Sequence, residues 1–155
     1  MKLEKWVHFY RARFFMLFNR HARAVEGLQQ ALEVDPDFGR AASCLGFAYG
    51  NLGRDELALR YFREALRIDP KDAVTHFDIG FIYDRQKQHE RAIEAFEKAV
   101  ELKPTLDRAW YGLGLARAAL GQHEKPAQAF ERAAQLQPMN PFAWYNLGMA
   151  YHTLG

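Results

Sequence analysis

The stretch from Gly39 to Asp72, GRAASCLGFAYGNLGRDELALRYFREALRIDPKD, is a unit that recurs along the chain. At an offset of thirty-four residues, four prolines fall into register: Pro36, Pro70, Pro104 and Pro138. Because proline is about 5% of average usage, three further prolines at a preset offset would arise by chance on the order of once in ten thousand. A fixed period of this length predicts a stacked array of helical repeats.

The composition fits one such array. The 155 residues are 49% hydrophobic and 14% aromatic, which is well above the level at which a chain stays disordered. The formal net charge is only +2, which argues against a dedicated nucleic-acid partner.

The charge is uneven at the N-terminus. Residues 1–23 carry six Lys or Arg against one acid, Glu4, while residues 24–155 carry fifteen against eighteen. A basic, aromatic helix here has two interpretations. It contacts a membrane surface, or it packs on its neighbour with its charges in solvent. The second is favoured because most amphipathic helices face a core.

Cys44 is the only cysteine, so an intramolecular disulfide and a cysteine-based zinc site are excluded and a reducing, cytoplasmic setting is expected. His8, Arg11 and Arg13 interrupt the first apolar segment, which makes it a poor match to a secretory signal. No apolar run approaches the length of a membrane span.

Each interval predicts two helices. In residues 39–53, apolar or small residues follow a three-to-four spacing, and Leu52-Gly53 ends the first helix. A second helix is expected from Asp55 to Ile68, closed by Asp69-Pro70 because proline cannot extend it. We expect a single array over 1–155, with a degenerate repeat at 5–38, full repeats at 39–72, 73–106 and 107–140, and the first helix of a further repeat at 141–155.

The motif W-x2-L-G-x2-Y appears at Trp144, Leu147, Gly148 and Tyr151, and A-x3-F appears at Ala58 and Phe62. With its period, this pattern resembles the tetratricopeptide repeat family. The resemblance implies an all-α, right-handed superhelical solenoid of antiparallel helix pairs, and a non-enzymatic scaffold that binds proteins. It is specific for the fold and hardly specific for the function.

Small and unusual residues add local expectations. The four equivalent glycines should let the first helix of each pair approach its neighbours closely: Gly46, Gly80, Gly114 and Gly148. Pro126 should lie in the first turn of a helix that begins near Glu124, where its missing N–H is harmless. Arg117 replaces an expected Tyr, which should loosen that helix pair.

The resemblance also implies that the first helix of each pair lines an inner groove, with the residues one and five past the Trp place pointing inward. Those residues begin with Phe9, Arg13 and Ser43. The predicted partner-binding residues are Phe47, Phe77, Phe81, Tyr111, Leu115, Tyr145 and Met149.

Family members that grip the acidic tail of heat-shock chaperones use Lys, Arg and Asn in this groove. The matching places here hold Ser43 with Phe47, Asp78, and Tyr111 with Leu115, so that clamp is missing. An amphipathic helix or an extended peptide with bulky anchors fits better. The alternative is that these aromatic residues contact one another, or the N-terminal segment of the array itself, and bind nothing.

The last helix is expected to present Trp144, Leu147 and Tyr151. Either the sequence is a fragment of a longer array or a second copy covers this stripe, as a self-association module. The fragment is favoured because Gly155 falls where an interhelical turn should begin. A third hypothesis is the recruiting arm of a longer multidomain enzyme.

No catalytic arrangement, cofactor or metal site is indicated. The six histidines include no pair at i, i+4 with a further ligand nearby. His89 and His123 are thirty-four residues apart, which indicates a role in the repeat rather than in chemistry.

Overall fold

The computed structural model describes residues 2–122 and 124–154, and within these ranges every regular element is an α-helix. The predictions for His123 and Gly155 lie outside the described residues. The helices are α1 Lys2–Leu17, α2 His21–Val34, α3 Gly39–Asn51, α4 Asp55–Ile68, α5 Ala73–Arg85, α6 His89–Leu102, α7 Asp107–Ala119, α8 Glu124–Leu136 and α9 Pro141–Leu154.

The chain divides into two compact units, one up to Lys71 and one from Asp72 onward. The first unit contains α1 to α4 and the second contains α5 to α9. In both units consecutive helices pack on each other as antiparallel hairpins. This confirms the expected fold class, an all-α helical repeat; the superhelical handedness and the single array stay predictions.

Proline sets the end of each second helix. Asp35, Asp69 and Lys103, which precede three of the register prolines, have ψ angles of 96°, 90° and 86°. Proline disfavours the helical conformation of the residue before it, so the chain leaves the helix one residue early. The observed ends of α2, α4 and α6 therefore agree with the sequence prediction.

A left-handed residue follows each first helix of the four hairpins. The backbone φ is +57° at Asn19, +71° at Gly53, +61° at Lys87 and +69° at Gly121. These positions are thirty-four residues apart, so the turn at Asn19 keeps the spacing of the later turns; the repeat boundaries themselves stay a prediction. Glycine and asparagine adopt this conformation readily, whereas a lysine is strained there.

Phenylalanines of the second helices fill the space that glycines leave open. A Cβ built on Gly46 would lie 2.6 Å from the Phe62 ring, and one on Gly80 would lie 2.7 Å from the Phe96 ring. Gly114 meets the ring of Phe130 in the same way, at 2.6 Å. The predicted close approach is correct at these three glycines. At Gly148 no such contact is seen: among the described residues, no atom outside the adjoining backbone of α9 lies within 4 Å of a Cβ built there.

The two unusual residues of the third repeat are well accommodated. Pro126 lies in the first turn of α8, as predicted, and its side chain is fully buried. The Arg117 guanidinium donates to Glu97 Oε1 at 2.6 Å, which ties α7 to α6. This ion pair takes the place of the tyrosine expected at position 117.

Candidate functional site

The candidate site of the second unit lies on α5, α7 and α9. Phe77 and Phe81, Tyr111 and Leu115, and Tyr145 and Met149 form pairs four residues apart, so each pair shares one face of its helix. We call these six residues the aromatic face.

The aromatic face has an exposed part and a packed part. Phe81 is 53% exposed, Tyr145 is 67% exposed and Met149 is 49% exposed, and Leu115 is also exposed. Phe77 and Tyr111 are half-buried: their rings lie 5.8 Å from those of Phe96 and Phe130. The two inner rings thus belong partly to the core, and the outer four side chains are available for contact.

Polar contacts connect the three helices of this face. The Arg108 guanidinium on α7 lies 5.1 Å from the centre of the Phe77 ring on α5. Asn146 Nδ2 on α9 donates to Tyr111 Oη at 3.1 Å and to the carbonyl of Phe142 at 2.8 Å. Arg108 and Asn146 were not predicted as site residues, because the family pattern places no expectation on either position.

Asp78 lies between the two aromatic positions of α5. Burial raises the pKa of this carboxyl to about 7, against the attraction of Arg108, which lowers it, and with a small further rise from Asp72. Near neutral pH, Asp78 therefore exchanges between a neutral acid and a carboxylate. From the sequence, Asp78 was notable only because it stands where family members that bind the chaperone tail carry Lys, Arg or Asn.

The first unit contributes Phe47 on α3. Its side chain is 41% exposed, and its ring lies edge-on to that of His21, with the ring centres 6.1 Å apart. His21 is buried and is hydrogen-bonded through Nε2 to Asn19 Oδ1 at 2.6 Å. Phe47 is thus accessible, and its ring packs against His21, which was not predicted as a site residue.

Other predicted groove residues of the first unit differ. Phe9 is only 1% exposed and packs against Trp6 and Phe38, so it belongs to the core and not to a groove. Arg13 is exposed, with its guanidinium 5.8 Å from the Phe9 ring. Ser43 is half-buried and donates to the carbonyl of Arg40 at 3.2 Å.

The three residues expected at the end of the array are not equivalent. Leu147 is 7% exposed and packs with Ala127 and Phe130, so it is unavailable for contact with another chain. Trp144 is 50% exposed and Tyr151 is 52% exposed. The Trp144 indole N–H donates to the carbonyl of Pro138 at 2.9 Å, and Trp110 makes the same bond to Pro104.

The described residues contain neither a metal-binding cluster nor a membrane-spanning helix. No three His, Cys, Asp or Glu side chains among them lie close enough together to hold a metal ion. None of their helices has both the length and the apolar character needed to cross a membrane.

Two family models match the sequence. One, described as tetratricopeptide repeat, matches residues 37–105, and one described as TPR repeat matches residues 116–155. The chain belongs to the tetratricopeptide repeat family. Repeats of this family typically act as non-catalytic scaffolds for protein interactions. A comparison with curated proteins gave no match for this tetratricopeptide repeat protein.

Solved structures share the fold. PilF of Pseudomonas aeruginosa is 21% identical, with a TM-score of 0.89 over 98% of this chain and 69% of that one. MamA (41-end) from Desulfovibrio magneticus RS-1 is 23% identical, with a TM-score of 0.86 over 95% of this chain and 83% of that one. The first TPR of Spaghetti (RPAP3), bound to the HSP90 peptide SRMEEVD, is 25% identical, with a TM-score of 0.72 over 75% of this chain and 92% of that one.

Proposed function

We propose that this tetratricopeptide repeat protein is a non-enzymatic scaffold whose aromatic face binds an extended peptide or an amphipathic helix with bulky apolar anchors. The proposal rests on the contrast between the exposed side chains of this face and the two half-buried rings, Phe77 and Tyr111. Phe81, Leu115 and Met149, at matched places on α5, α7 and α9, remain exposed together with Tyr145. The rings of Phe77 and Tyr111 are held by Phe96 and Phe130.

A face of this kind is suited to binding without rearrangement. Phe77 and Tyr111 are already packed on Phe96 and Phe130, so they lose little conformational freedom when a ligand covers them and more of the contact energy remains as affinity. A few large anchors near the centre of an interface usually supply most of that energy. Phe81 and Tyr145 are the aromatic side chains of the exposed part.

Charge separates this proposal from recognition of an acidic tail. The RPAP3 repeat is bound to SRMEEVD, a peptide with three acidic residues. The aromatic face contains no Lys, and Arg108 beside it is stacked on Phe77. The neighbouring Asp78 becomes negatively charged as the pH rises above about 7. A carboxylate-rich tail would therefore meet repulsion and few donors, and we expect no binding of SRMEEVD.

Panning of a displayed peptide library against the full chain tests the proposal. Enriched peptides should carry aromatic or aliphatic anchors and few acids, and a Phe81→Ala, Tyr145→Ala double variant should bind them at least about tenfold more weakly. Phe14→Ala, an exposed aromatic on α1, is the matched control. Equal retention by the double variant, or enrichment of acidic tails, would reject this assignment.

Phe47 extends the proposal to the first unit. It stands thirty-four residues before Phe81 and is also exposed. We expect Phe47→Ala to raise the dissociation constant of the peptides that the full chain selects, measured by fluorescence titration. An unchanged dissociation constant would remove Phe47 from the proposed binding residues.

A second candidate function is self-association through α9, for which the half-exposed Trp144 and Tyr151 are the remaining residues. Sedimentation at increasing concentration should then show a dimer that Tyr151→Ser removes. A monomer at high concentration would reject it. A role as the recruiting arm of a longer multidomain enzyme requires the complete reading frame to test.

A further inference from the structure

Helix α1 is apolar on two opposite faces. One face packs on α2 through Phe9 and Ala12, which are 1% and 0% exposed. The other face carries large apolar side chains that are between 57% and 81% exposed. They are Leu3, Val7, Tyr10, Phe14 and Leu17, together with Phe18 directly after the helix, and we call them the outer stripe.

The outer stripe is continuous along the helix. Its members from Leu3 to Leu17 alternate in spacing between four and three residues, which keeps them on one line. At a rise of about 1.5 Å per residue the line is about 21 Å long. Packing of α1 on α2 therefore explains only one of the two apolar faces of α1. Isolated apolar residues are common on protein surfaces, but a continuous apolar stripe of this length marks an interaction site.

Basic side chains border the outer stripe. At about 100° per residue, Arg11 and Arg13 fall on opposite edges of it, and both side chains are exposed, as are Arg20 and Arg23 in the segment that follows. Lys5 is different because it is paired with Asp35 of the turn after α2. The charges beside the stripe are thus mostly positive.

A groove between α1 and α2 adds to this pattern. It has a volume of about 470 Å³ and is lined by Arg11, Phe15, Arg23, Glu26 and Gln30. The lining thus contains two guanidinium groups and one carboxylate. Guanidinium groups bind the oxygens of a phosphate well.

We propose that α1 docks on an anionic membrane surface, with the outer stripe in the headgroup boundary and the bordering arginines on lipid phosphates. Helices that combine an aromatic and aliphatic face with Arg on their borders lie in this boundary. Anionic lipid supplies the negative charge that this face lacks.

A second copy of the chain is a poorer occupant. Helix pairing through the outer stripe would bring Arg11 and Arg13 near the same residues of the other copy, and like charges across an interface disfavour the contact. The other exposed apolar helix, α9, offers no compensation because residues 141–155 contain no Asp or Glu. Charge complementarity thus favours lipid.

Sedimentation of the full chain with vesicles tests the proposal. One set of vesicles contains phosphatidylcholine alone and the other contains about one third phosphatidylserine. We expect binding to the second set only, with a loss of binding as sodium chloride rises from about 0.05 to 0.5 M. Phe14→Gln with Leu17→Gln should reduce partition at least about tenfold, and Arg13→Gln about fivefold.

Phe142→Gln, which changes an exposed aromatic of the second unit outside the aromatic face, is the matched control and should leave partition unchanged. Circular dichroism of each variant checks that its helix content is intact. The proposal is overturned if the wild-type chain does not sediment with phosphatidylserine vesicles, or if Phe14→Gln with Leu17→Gln binds them as the wild type does. A concentration-dependent dimer without lipid, lost in that double variant, would assign the outer stripe to a second copy instead.

Discussion

Gly80 and Gly148 occupy equivalent places in two repeats, but their surroundings predict opposite effects of the same substitution. An alanine Cβ at position 80 would lie 2.7 Å from Cδ1 and Cε1 of Phe96, and the tip of that ring is itself 2.7 Å from the Cβ position of Gly112. Carbon atoms in good contact are about 3.5–4.0 Å apart. The ring must therefore move by about 1 Å in a space that two glycines define.

The magnitude follows from two opposing terms. Overpacking of this kind costs about 1–3 kcal/mol, while replacing a helical glycine by alanine gains about 1 kcal/mol. We expect Gly80→Ala to lower the free energy of unfolding by up to about 2 kcal/mol. Gly148→Ala meets no atom within 4 Å, so it should raise that free energy by up to about 1 kcal/mol.

Urea unfolding followed by circular dichroism measures both variants, and both glycines lie in the unit that begins at Asp72. A second comparison isolates the ring: in a Phe96→Leu background, Gly80→Ala should cost less than in the wild type, because the edge that it meets is gone. Equal shifts for Gly80→Ala and Gly148→Ala would refute the close-approach argument, as would an unchanged cost in the Phe96→Leu background.

Two further predictions concern the second unit. Lys87 has a φ of +61°, and the equivalent residues Gly53 and Gly121 have φ values of +71° and +69°. Lys87→Gly should therefore raise the unfolding midpoint by relieving about 1 kcal/mol of backbone strain. Lys87→Ala keeps this strain and should leave the midpoint where it is. Asp78 has its pKa raised from 3.8 to about 7 in the folded chain, so the unfolded state releases this proton first and stability should fall as the pH rises from about 4 to about 7. Asp78→Asn should flatten that part of the stability profile. Asp72→Asn is the control, because Asp72 contributes less than burial does to the raised pKa of Asp78. An identical slope in the wild type and in Asp78→Asn would contradict the burial argument.

The periodic residues made most of the fold predictable. Pro70 and Leu52-Gly53 act through local backbone conformation, so the ends of α3 and α4 follow from the sequence alone. The role of Gly46 was also predictable, because glycine and phenylalanine recur sixteen residues apart in successive repeats, as at Gly46 and Phe62, which indicates close helix contact.

Other features depend on tertiary neighbours that the pattern does not identify. The sequence does not show that Arg117 reaches Glu97 twenty residues away, nor that Leu147 turns inward onto Phe130. Helix α1 shows the general reason. It is apolar around much of its circumference, so spacing alone cannot decide which residues pack on α2, and Phe9 was assigned to the wrong face.

The aromatic face was predictable only in part. Repeat equivalence gave the residue positions, including Phe81 and Tyr145, because side chains four residues apart share a helix face. It could not tell the exposed residues from Phe77 and Tyr111, since that depends on contacts with Phe96 and Phe130 in other helices. The polar contributions of Arg108 and Asn146 also arise only from the packing of α5, α7 and α9.

Methionine methyl groups report directly on whether ligands bind on the aromatic face. Met149 is a half-exposed member of that face, whereas Met139 is 92% exposed outside it. With isotope-labelled methionine methyl groups, titration of a library-selected peptide should shift the Met149 resonance and leave Met139 unchanged. A shift of the Met139 resonance with Met149 unaffected would place ligand binding outside the aromatic face.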